Sequence, residues 1–113
     1  MKIHRLILSA ISCISFYSSC TGAVTFESAT EQVGLLELYT SEGCSSCPPA
    51  DRWLSTLKDE DGLWDKLIPI AFHVDYWDYI GWKDRFATPK NSNRQRQYAR
   101  EQSLKTVYTP GFL

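Results

Sequence analysis

Compact apolar runs alternate with helically spaced apolar positions along this chain, and the alternation predicts the order of its elements. The apolar residues between 35 and 39 are interrupted only by Glu37 and are followed by the turn-forming stretch 40–43, so we expect a buried strand that ends in a loop. A second buried strand is expected over 67–75, with Pro69 near its beginning, where a missing hydrogen-bond donor is tolerated.

Two other segments show helical spacing. The apolar residues between 50 and 57 fall on one face of a helix, and Pro48 and Pro49 suit its first turn because that turn needs no N–H. Helix-forming residues from 88 to 104 predict a second helix, with Ser92 as a candidate cap and the arginines from 94 to 100 on a solvated face. The segment 107–110 is expected to be extended and to lead into a proline turn.

This order of strand, helix, strand and helix predicts an α/β domain in which the two strands are parallel. In such sheets, ligands collect beyond the carboxyl ends of the strands. Cys44 and Cys47 follow the first strand, and His73, Asp75 and Trp77 lie at or after the end of the second. We therefore expect these side chains to share one edge of the sheet.

The first 23 residues have the pattern of a secretory signal. Lys2 and Arg5 precede a mostly apolar run over 6–17, and small residues follow up to Ala23. The run is shorter than the roughly 20 apolar residues that a membrane-spanning helix needs, and serines interrupt it. We therefore expect a secreted or periplasmic protein from which residues 1–23 are removed.

A lipid anchor is the alternative fate of this segment. Cleavage before Cys20 would free its thiol for lipid attachment, and only in that case do we expect the chain to be held at a membrane. Tyr17 stands three positions upstream, where a leucine-like residue is usual, and this disfavours the anchor. With either fate, Cys13 and Cys20 belong to the targeting segment.

Composition sets the scale of the folded part. The chain has 113 residues, 43% of them hydrophobic, which suffices for one domain with one core. We expect residues 24–32 to be a lead-in segment and residues 33–113 to be the domain. Because 12 basic residues stand against 13 acidic ones, the charge gives no reason to expect a nucleic-acid partner.

The exported part contains two cysteines, Cys44 and Cys47, in a CxxC motif between a strand and a helix. A bridge across two residues encloses almost no loop, so it constrains little of the unfolded chain and suits redox chemistry better than stapling. The nucleophile in disulfide exchange is a thiolate, which the first N–H groups of a helix favour. We assign Cys44 as the attacking thiol and Cys47 as the less exposed, resolving cysteine.

The function predicted on this basis is an exported thiol–disulfide oxidoreductase that needs no cofactor and acts on a protein thiol, a protein disulfide or a redox partner. Thr109 and Pro110 are the candidate substrate-binding residues, because a cis proline beside a CxxC exposes a backbone edge on which a substrate strand can pair. Asp75 is either a proton carrier for Cys47 or the polar end of a strand.

Two alternatives for the CxxC stay open at this point. One is a copper- or zinc-binding module in which Cys44, Cys47 and His73 supply the ligands. The other is an inert local disulfide. His73 is the one imidazole left once His4 is assigned to the signal, and a buried strand histidine is its structural interpretation.

The chain resembles the secreted thioredoxin-like proteins that are grouped as domain of unknown function 1223. The segments that carry the likeness are Leu36–Asp51 (LELYTSEGCSSCPPAD), Ile70–Asp78 (IAFHVDYWD), Gly81–Asp84 (GWKD), Arg94–Tyr98 (RQRQY) and Val107–Pro110 (VYTP). Together they span nearly the whole exported part.

The resemblance implies a thioredoxin-like fold of strand, CxxC, helix, strand, helix and cis-proline loop, in which Cys44, Cys47 and Pro110 match the redox site. It implies no substrate. Relatives continue past the position of Leu113 with further strands and a helix, so we expect this fold to be incomplete at its C-terminus, or to rely on a partner, and to be marginally stable.

Overall fold

The structure, a computed structural model, describes residues 22, 24, 25, 27 and 30–113. The expected signal over 1–23, with Cys13 and Cys20, lies outside the described residues except for Gly22, and so does part of the expected lead-in segment. Among the residues that are described, no helix has the length and apolar character needed to cross a membrane.

The described chain has an α/β architecture, as the hydrophobic pattern predicts. Its elements are β1 (Gly34–Thr40), α1 (Pro48–Thr56), β2 (Leu67–His73), α2 (Pro89–Glu101) and β3 (Gly111–Phe112), with short 3-10 turns at Leu57–Asp59 and Asp78–Ile80. Each predicted strand and helix lies within a few residues of its expected position.

The three strands form one mixed sheet in the order β2, β1, β3. β1 and β2 are parallel, as predicted, and their register runs from Gly34 opposite Leu67 to Thr40 opposite His73. β3 is antiparallel to β1, and the pairing continues past it through two hydrogen bonds between Glu37 and Leu113, at 2.9 and 3.0 Å. The central position of β1 brings its carboxyl end, just before the CxxC, between its two neighbours.

Side chains of β1 alternate between the faces of the sheet, and each face meets one helix. Glu37 bonds to Arg94 of α2, whereas the Thr40 hydroxyl donates to Asp51 of α1 at 2.7 Å. Because residues 37 and 40 are an odd number of positions apart, they point to opposite faces. The helices therefore lie on opposite sides of the sheet, over a core whose fully buried apolar side chains include Leu38, Tyr39 and Val74.

Glu37, the interruption in the first apolar run, is a buried carboxylate held by α2. It accepts hydrogen bonds from Nε of Arg94 at 3.0 Å and from the Tyr39 hydroxyl at 2.6 Å, and its shortest contact is with Nη2 of Arg94. Burial acts to raise the pKa of Glu37, but these bonds bring it below its ordinary value of 4.5. The expected solvated face is therefore wrong for Arg94, because a buried charge needs a partner.

The second strand is less buried than predicted. Most of β2 is half-buried, and Ile70 and Ala71 are exposed. Within the described sheet β2 is an edge strand, and only one of its flanks is paired. The predicted position of the strand is correct, but its predicted burial is wrong.

The cap of α2 is Thr88, so the prediction of Ser92 as the cap is wrong. The Thr88 side chain accepts a hydrogen bond from the N–H of Asn91 at 3.3 Å, and Pro89 takes the first helical position, which suits proline. Ser92 instead lies inside the helix, fully buried, and bonds to Asp75.

Candidate active site

Cys44 and Cys47 form a disulfide at the start of α1. Cys47 is the N-cap residue, and its carbonyl accepts the N–H of Asp51 at 3.1 Å. Cys44 lies in the preceding turn, where its N–H donates to the carbonyl of Ser41 at 3.1 Å. Both residues are buried, and the exposed fraction is 4% for Cys44 and 0% for Cys47, so the predicted order of exposure is confirmed.

The start of α1 offers Cys44 fewer donors than the sequence argument assumed. Pro48 and Pro49 occupy the first two helical positions, and proline has no N–H. The expectation that the first N–H groups of the helix serve the attacking thiol is therefore wrong for these two positions. A donor to the Cys44 sulfur has to come from elsewhere in the fold.

Thr109 supplies such a donor. Its hydroxyl donates to Sγ of Cys44 at 3.2 Å, and only 8% of the residue is exposed. Ser46 lies at the same place, with Oγ 3.6 Å from Sγ of Cys44 and 3.5 Å from the Thr109 carbonyl, to which it donates. The peptide bond between Thr109 and Pro110 is cis, and Pro110 leads directly into β3. The proline loop therefore lies beside the disulfide.

Trp77 continues this chain of contacts away from the sulfur. Its indole Nε1 donates to Oγ1 of Thr109 at 2.7 Å. A Cβ added at Gly43 would lie 3.3 Å from Cβ of Trp77, so the glycine next to Cys44 permits this close approach. The sequence correctly placed Trp77 at the same edge of the sheet as the cysteines. It gave no sign of this bond, because no spacing rule links residues that are 32 positions apart.

Gln95 of α2 holds the segment before Thr109. Its Nε2 donates to the carbonyl of Tyr108 at 2.7 Å, and its Oε1 accepts from the Tyr76 hydroxyl at 2.9 Å. Burial raises the pKa of Tyr76, so this hydroxyl keeps its proton and remains a donor over the neutral range. Thr109 is therefore fixed through Trp77 on one side and through the backbone bond to α2 on the other.

Asp84 is a buried carboxylate that the sequence argument did not single out. Its Oδ2 accepts from Nδ1 of His73 at 2.6 Å and from the N–H of Glu42 at 2.8 Å, and its Oδ1 accepts from the N–H of Phe86 at 2.8 Å. Burial acts to raise the pKa of Asp84, but the bonds from Glu42, His73 and Phe86 bring it below its ordinary value of 3.8. This carboxylate ties the loop before the CxxC to the end of β2.

His73 is therefore hydrogen-bonded to Asp84 and does not join a ligand set with the cysteines. The part of the chain that the structure describes contains no group of three or more His, Cys, Asp or Glu side chains that could hold one metal ion. The alternative of copper or zinc on Cys44, Cys47 and His73 is not supported by this geometry. The imidazole is instead hydrogen-bonded to the buried carboxylate of Asp84.

Asp75 is also occupied by a structural contact. Its carboxylate accepts from the buried hydroxyl of Ser92, and its N–H donates back to the same hydroxyl at 3.0 Å. Of the two interpretations of Asp75, the polar end of a strand matches these contacts. Proton transfer to or from Cys47 stays a prediction.

The arrangement can support thiol chemistry at one sulfur. Cys44 carries a hydroxyl donor, whereas Cys47 is enclosed at the helix start. Attack through Cys44 and resolution through Cys47 is the order of events that these environments suit.

Comparison with known proteins places the chain among relatives. The model of a family described as "Protein of unknown function (DUF1223)" matches residues 35–113, which confirms the predicted family resemblance. The X-ray structure of a protein from Agrobacterium tumefaciens is 44% identical to this chain with a TM-score of 0.64, and the match covers 74% of this chain and 36% of that one. A comparison with curated proteins found no match.

Proposed function

Because this chain belongs to the DUF1223 family, whose description assigns no activity, we propose from its own residues that it is an exported, thioredoxin-like thiol–disulfide oxidoreductase. The proposed domain is residues 33–113. Support for the thioredoxin-like fold comes from the order β1, CxxC, α1, β2, α2, cis proline and β3, with β1 and β2 parallel and β3 antiparallel.

The observation that carries the proposal is the hydrogen bond from the Thr109 hydroxyl to Sγ of Cys44 at 3.2 Å. A donor placed on one sulfur of a CxxC favours the thiolate at that sulfur, because hydrogen bonds to a charged acceptor are stronger than bonds to a neutral one. An inert disulfide has no need of such a donor. The contact therefore supports a redox role over a purely structural one.

The proposed reaction moves two electrons between two dithiol pairs. In the oxidising direction a substrate thiolate attacks Sγ of Cys44, the bond between Cys44 and Cys47 breaks, and Cys47 leaves as a thiolate that takes up a proton. A second substrate thiol then loses its proton and attacks the substrate sulfur of the mixed disulfide. Cys44 leaves as a thiolate, the substrate becomes a disulfide, and the enzyme is reduced. The reducing direction runs through the same steps in reverse.

The test is exchange by the full chain with reduced glutathione and with insulin as a disulfide substrate. We expect the Cys44–Cys47 pair to equilibrate with glutathione buffers at a defined potential and to speed reduction of insulin by dithiothreitol. Cys47→Ser should accumulate a mixed disulfide at Cys44, because the resolving thiol is missing. Cys44→Ser is the matched control and should trap no such species.

The proposal is wrong if the pair resists reduction at every glutathione ratio, or if the wild type speeds insulin reduction no more than Cys44→Ser does. Exchange at Cys13 and Cys20 is measured in a double variant in which Cys44 and Cys47 are both serine, and this background rate is subtracted.

Export is proposed from the signal-like pattern of residues 1–23. N-terminal sequencing of the chain recovered after expression in a bacterial host with a periplasm should find a new terminus near residue 24 in the periplasmic fraction. A terminus at a lipid-modified Cys20 would show that the chain is anchored to a membrane and not released by cleavage near residue 24. An intact Met1 in the cytosolic fraction would refute export.

A further inference from the structure

The hydroxyl of Thr109 has one proton to donate, and its direction decides whether Cys44 receives a hydrogen bond. The acceptor Sγ of Cys44 lies 3.2 Å away. A threonine hydroxyl can rotate toward any nearby acceptor, and its own oxygen can also accept. A second hydrogen bond must therefore fix the orientation of the Thr109 hydroxyl if its contact with the sulfur is to persist in the reduced protein.

Trp77 is placed to do so. Its indole Nε1 lies 2.7 Å from Oγ1 of Thr109, and an indole N–H is a donor and never an acceptor. The hydroxyl must accept from Trp77, so its proton has to point away from the indole. The hydroxyl of Tyr76 also lies within reach of the Thr109 side chain, and the structure directs the proton to the sulfur of Cys44 at 3.2 Å. The result is a directed relay from the indole through the hydroxyl to the sulfur.

We propose that Trp77 is a positioning residue that orients the Thr109 hydroxyl toward Cys44 and thereby stabilises the Cys44 thiolate of the reduced protein. The inference rests on the proposed redox role of Cys44. It assigns a function to an aromatic side chain that makes no contact of its own with the disulfide among the described hydrogen bonds.

The two prolines at the start of α1 make the donor from Thr109 important for Cys44. With prolines at its first two positions, α1 lacks N–H groups where a CxxC helix would otherwise present them. A hydroxyl that already accepts a hydrogen bond is a stronger donor, because hydrogen bonds in a chain polarise one another. The relay thus compensates at Cys44 for donors that the prolines remove.

The primary measurement is the pH dependence of Cys44 alkylation by iodoacetamide in the reduced full chain carrying Cys47→Ser. Cleavage after glutamates separates Cys44 from Cys13 and Cys20, so mass spectrometry follows alkylation of Cys44 by itself. In this background Thr109→Val keeps the side-chain shape and removes the hydroxyl, and we expect it to raise the Cys44 pKa by roughly one unit, a tenfold loss in acid dissociation. Trp77→Phe should raise it by a smaller amount, roughly threefold in the same constant.

The double variant separates a relay from two independent effects. If Trp77 acts through the hydroxyl, Trp77→Phe should have no further effect on the pKa once Thr109→Val is present. Additive shifts in the double variant would overturn the proposal, because the indole would then act on Cys44 by another route. An unchanged pKa in Trp77→Phe alone would overturn it as well.

Two matched variants control for packing. Trp82→Phe changes an exposed tryptophan of the same loop, with 61% of the residue accessible, and should leave the Cys44 pKa where it is. Thr109→Ser restores a hydroxyl and should return the pKa most of the way to the wild-type value. A shift in Trp82→Phe as large as that in Trp77→Phe would mean that any disturbance of the loop suffices, and it would refute a specific relay.

The reduction potential gives a second readout in the chain that retains both cysteines. At a pH where Cys44 is ionised, a tenfold loss of thiolate stabilisation in Thr109→Val corresponds to about 30 mV toward more reducing values. Neither measurement needs a substrate. If the variants shift the Cys44 pKa but the protein exchanges no disulfide with insulin, the relay is supported and the proposed function is refuted. If the protein is active but the variants leave the Cys44 pKa unchanged, the proposed function is supported and the relay is refuted.

Discussion

The carboxylate of Asp84 lies 2.6 Å from Nδ1 of His73, and the same oxygen also accepts the N–H of Glu42 two residues before Cys44. One buried side chain therefore joins the last residue of β2 to the loop that carries the CxxC. Since the Asp84 side chain is fully inaccessible, each of these bonds replaces one that water would otherwise make.

Asp84→Asn should destabilise the folded protein by about 3 kcal/mol, because an amide cannot accept from three donors as a carboxylate does and the imidazole loses its charged partner. Urea unfolding followed by tryptophan fluorescence measures the change. Asp61→Asn, at an exposed aspartate, is the control and should stay within about 0.5 kcal/mol of the wild type. A cost for Asp84→Asn no larger than that of the control would contradict the role assigned to this carboxylate.

The same variant predicts a change in the acid sensitivity of the fold. The pKa of Asp84 is below its ordinary value of 3.8 in the folded state, so its contribution to the free energy of unfolding is present above about pH 4 and is lost as the pH falls further. The wild type should lose stability through that range more steeply than Asp84→Asn. Glu37, whose pKa is also lowered, keeps part of the slope in the variant. Equal slopes in the two proteins would show that Asp84 carries no such linkage.

Arg94→Met should destabilise the fold by roughly 2 kcal/mol, because it leaves the carboxylate of Glu37 buried without its cation. The expected loss in the free energy of unfolding is modest because 40% of the Arg94 side chain is exposed and solvent screens the pair. Adding Glu37→Gln should recover part of the loss, since the unpaired charge is then gone. Arg100→Met on the same helix is the control and should change stability little; a matching loss there would point to helix propensity instead.

Ser92→Ala and Thr88→Ala test the corrected cap of α2. Thr88→Ala removes an exposed N-cap and should cost about 1 kcal/mol. Ser92→Ala should cost at least as much, because it leaves the N–H and carboxylate of Asp75 without their shared partner in a buried place. Thermal unfolding followed by circular dichroism compares the two. A neutral Thr88→Ala would contradict the assignment of Thr88 as the cap, whereas a neutral Ser92→Ala would contradict the role of Ser92 as the partner of Asp75.

The parts of the fold that local patterns control were predictable. Strand and helix positions follow from apolar spacing and from prolines, and the parallel pairing of β1 with β2 follows from the helix between them. The position of Cys44 and Cys47 at the sheet edge follows from the same order. Burial of β2 was mispredicted because apolar composition reports what a strand tolerates and not how many neighbours it has in the sheet.

The long-range polar contacts were not predictable from periodicity. Glu37 pairs with Arg94 across 57 positions, and Trp77 bonds to Thr109 across 32. A lone glutamate inside an apolar strand was the available signal for the first, because a charge placed in a core requires a partner. No comparable signal exists for the indole. His73 was a candidate ligand only in the metal-binding alternative, as the one imidazole outside the signal. Its partner Asp84 lies in a loop whose path the pattern does not define.

The contact between Thr109 and Cys44 joins residues that are 65 positions apart, so it exists only while the sheet is assembled. Folding of the chain and reduction of its disulfide are consequently linked in one thermodynamic cycle. A hydrogen bond that is stronger to a thiolate than to a disulfide sulfur favours the reduced fold over the oxidised fold by the difference. The same difference must appear as a greater tendency of the folded chain, relative to the unfolded chain, to accept electrons. We therefore expect Thr109→Val to stabilise the oxidised fold relative to the reduced fold and to make the folded chain a weaker electron acceptor.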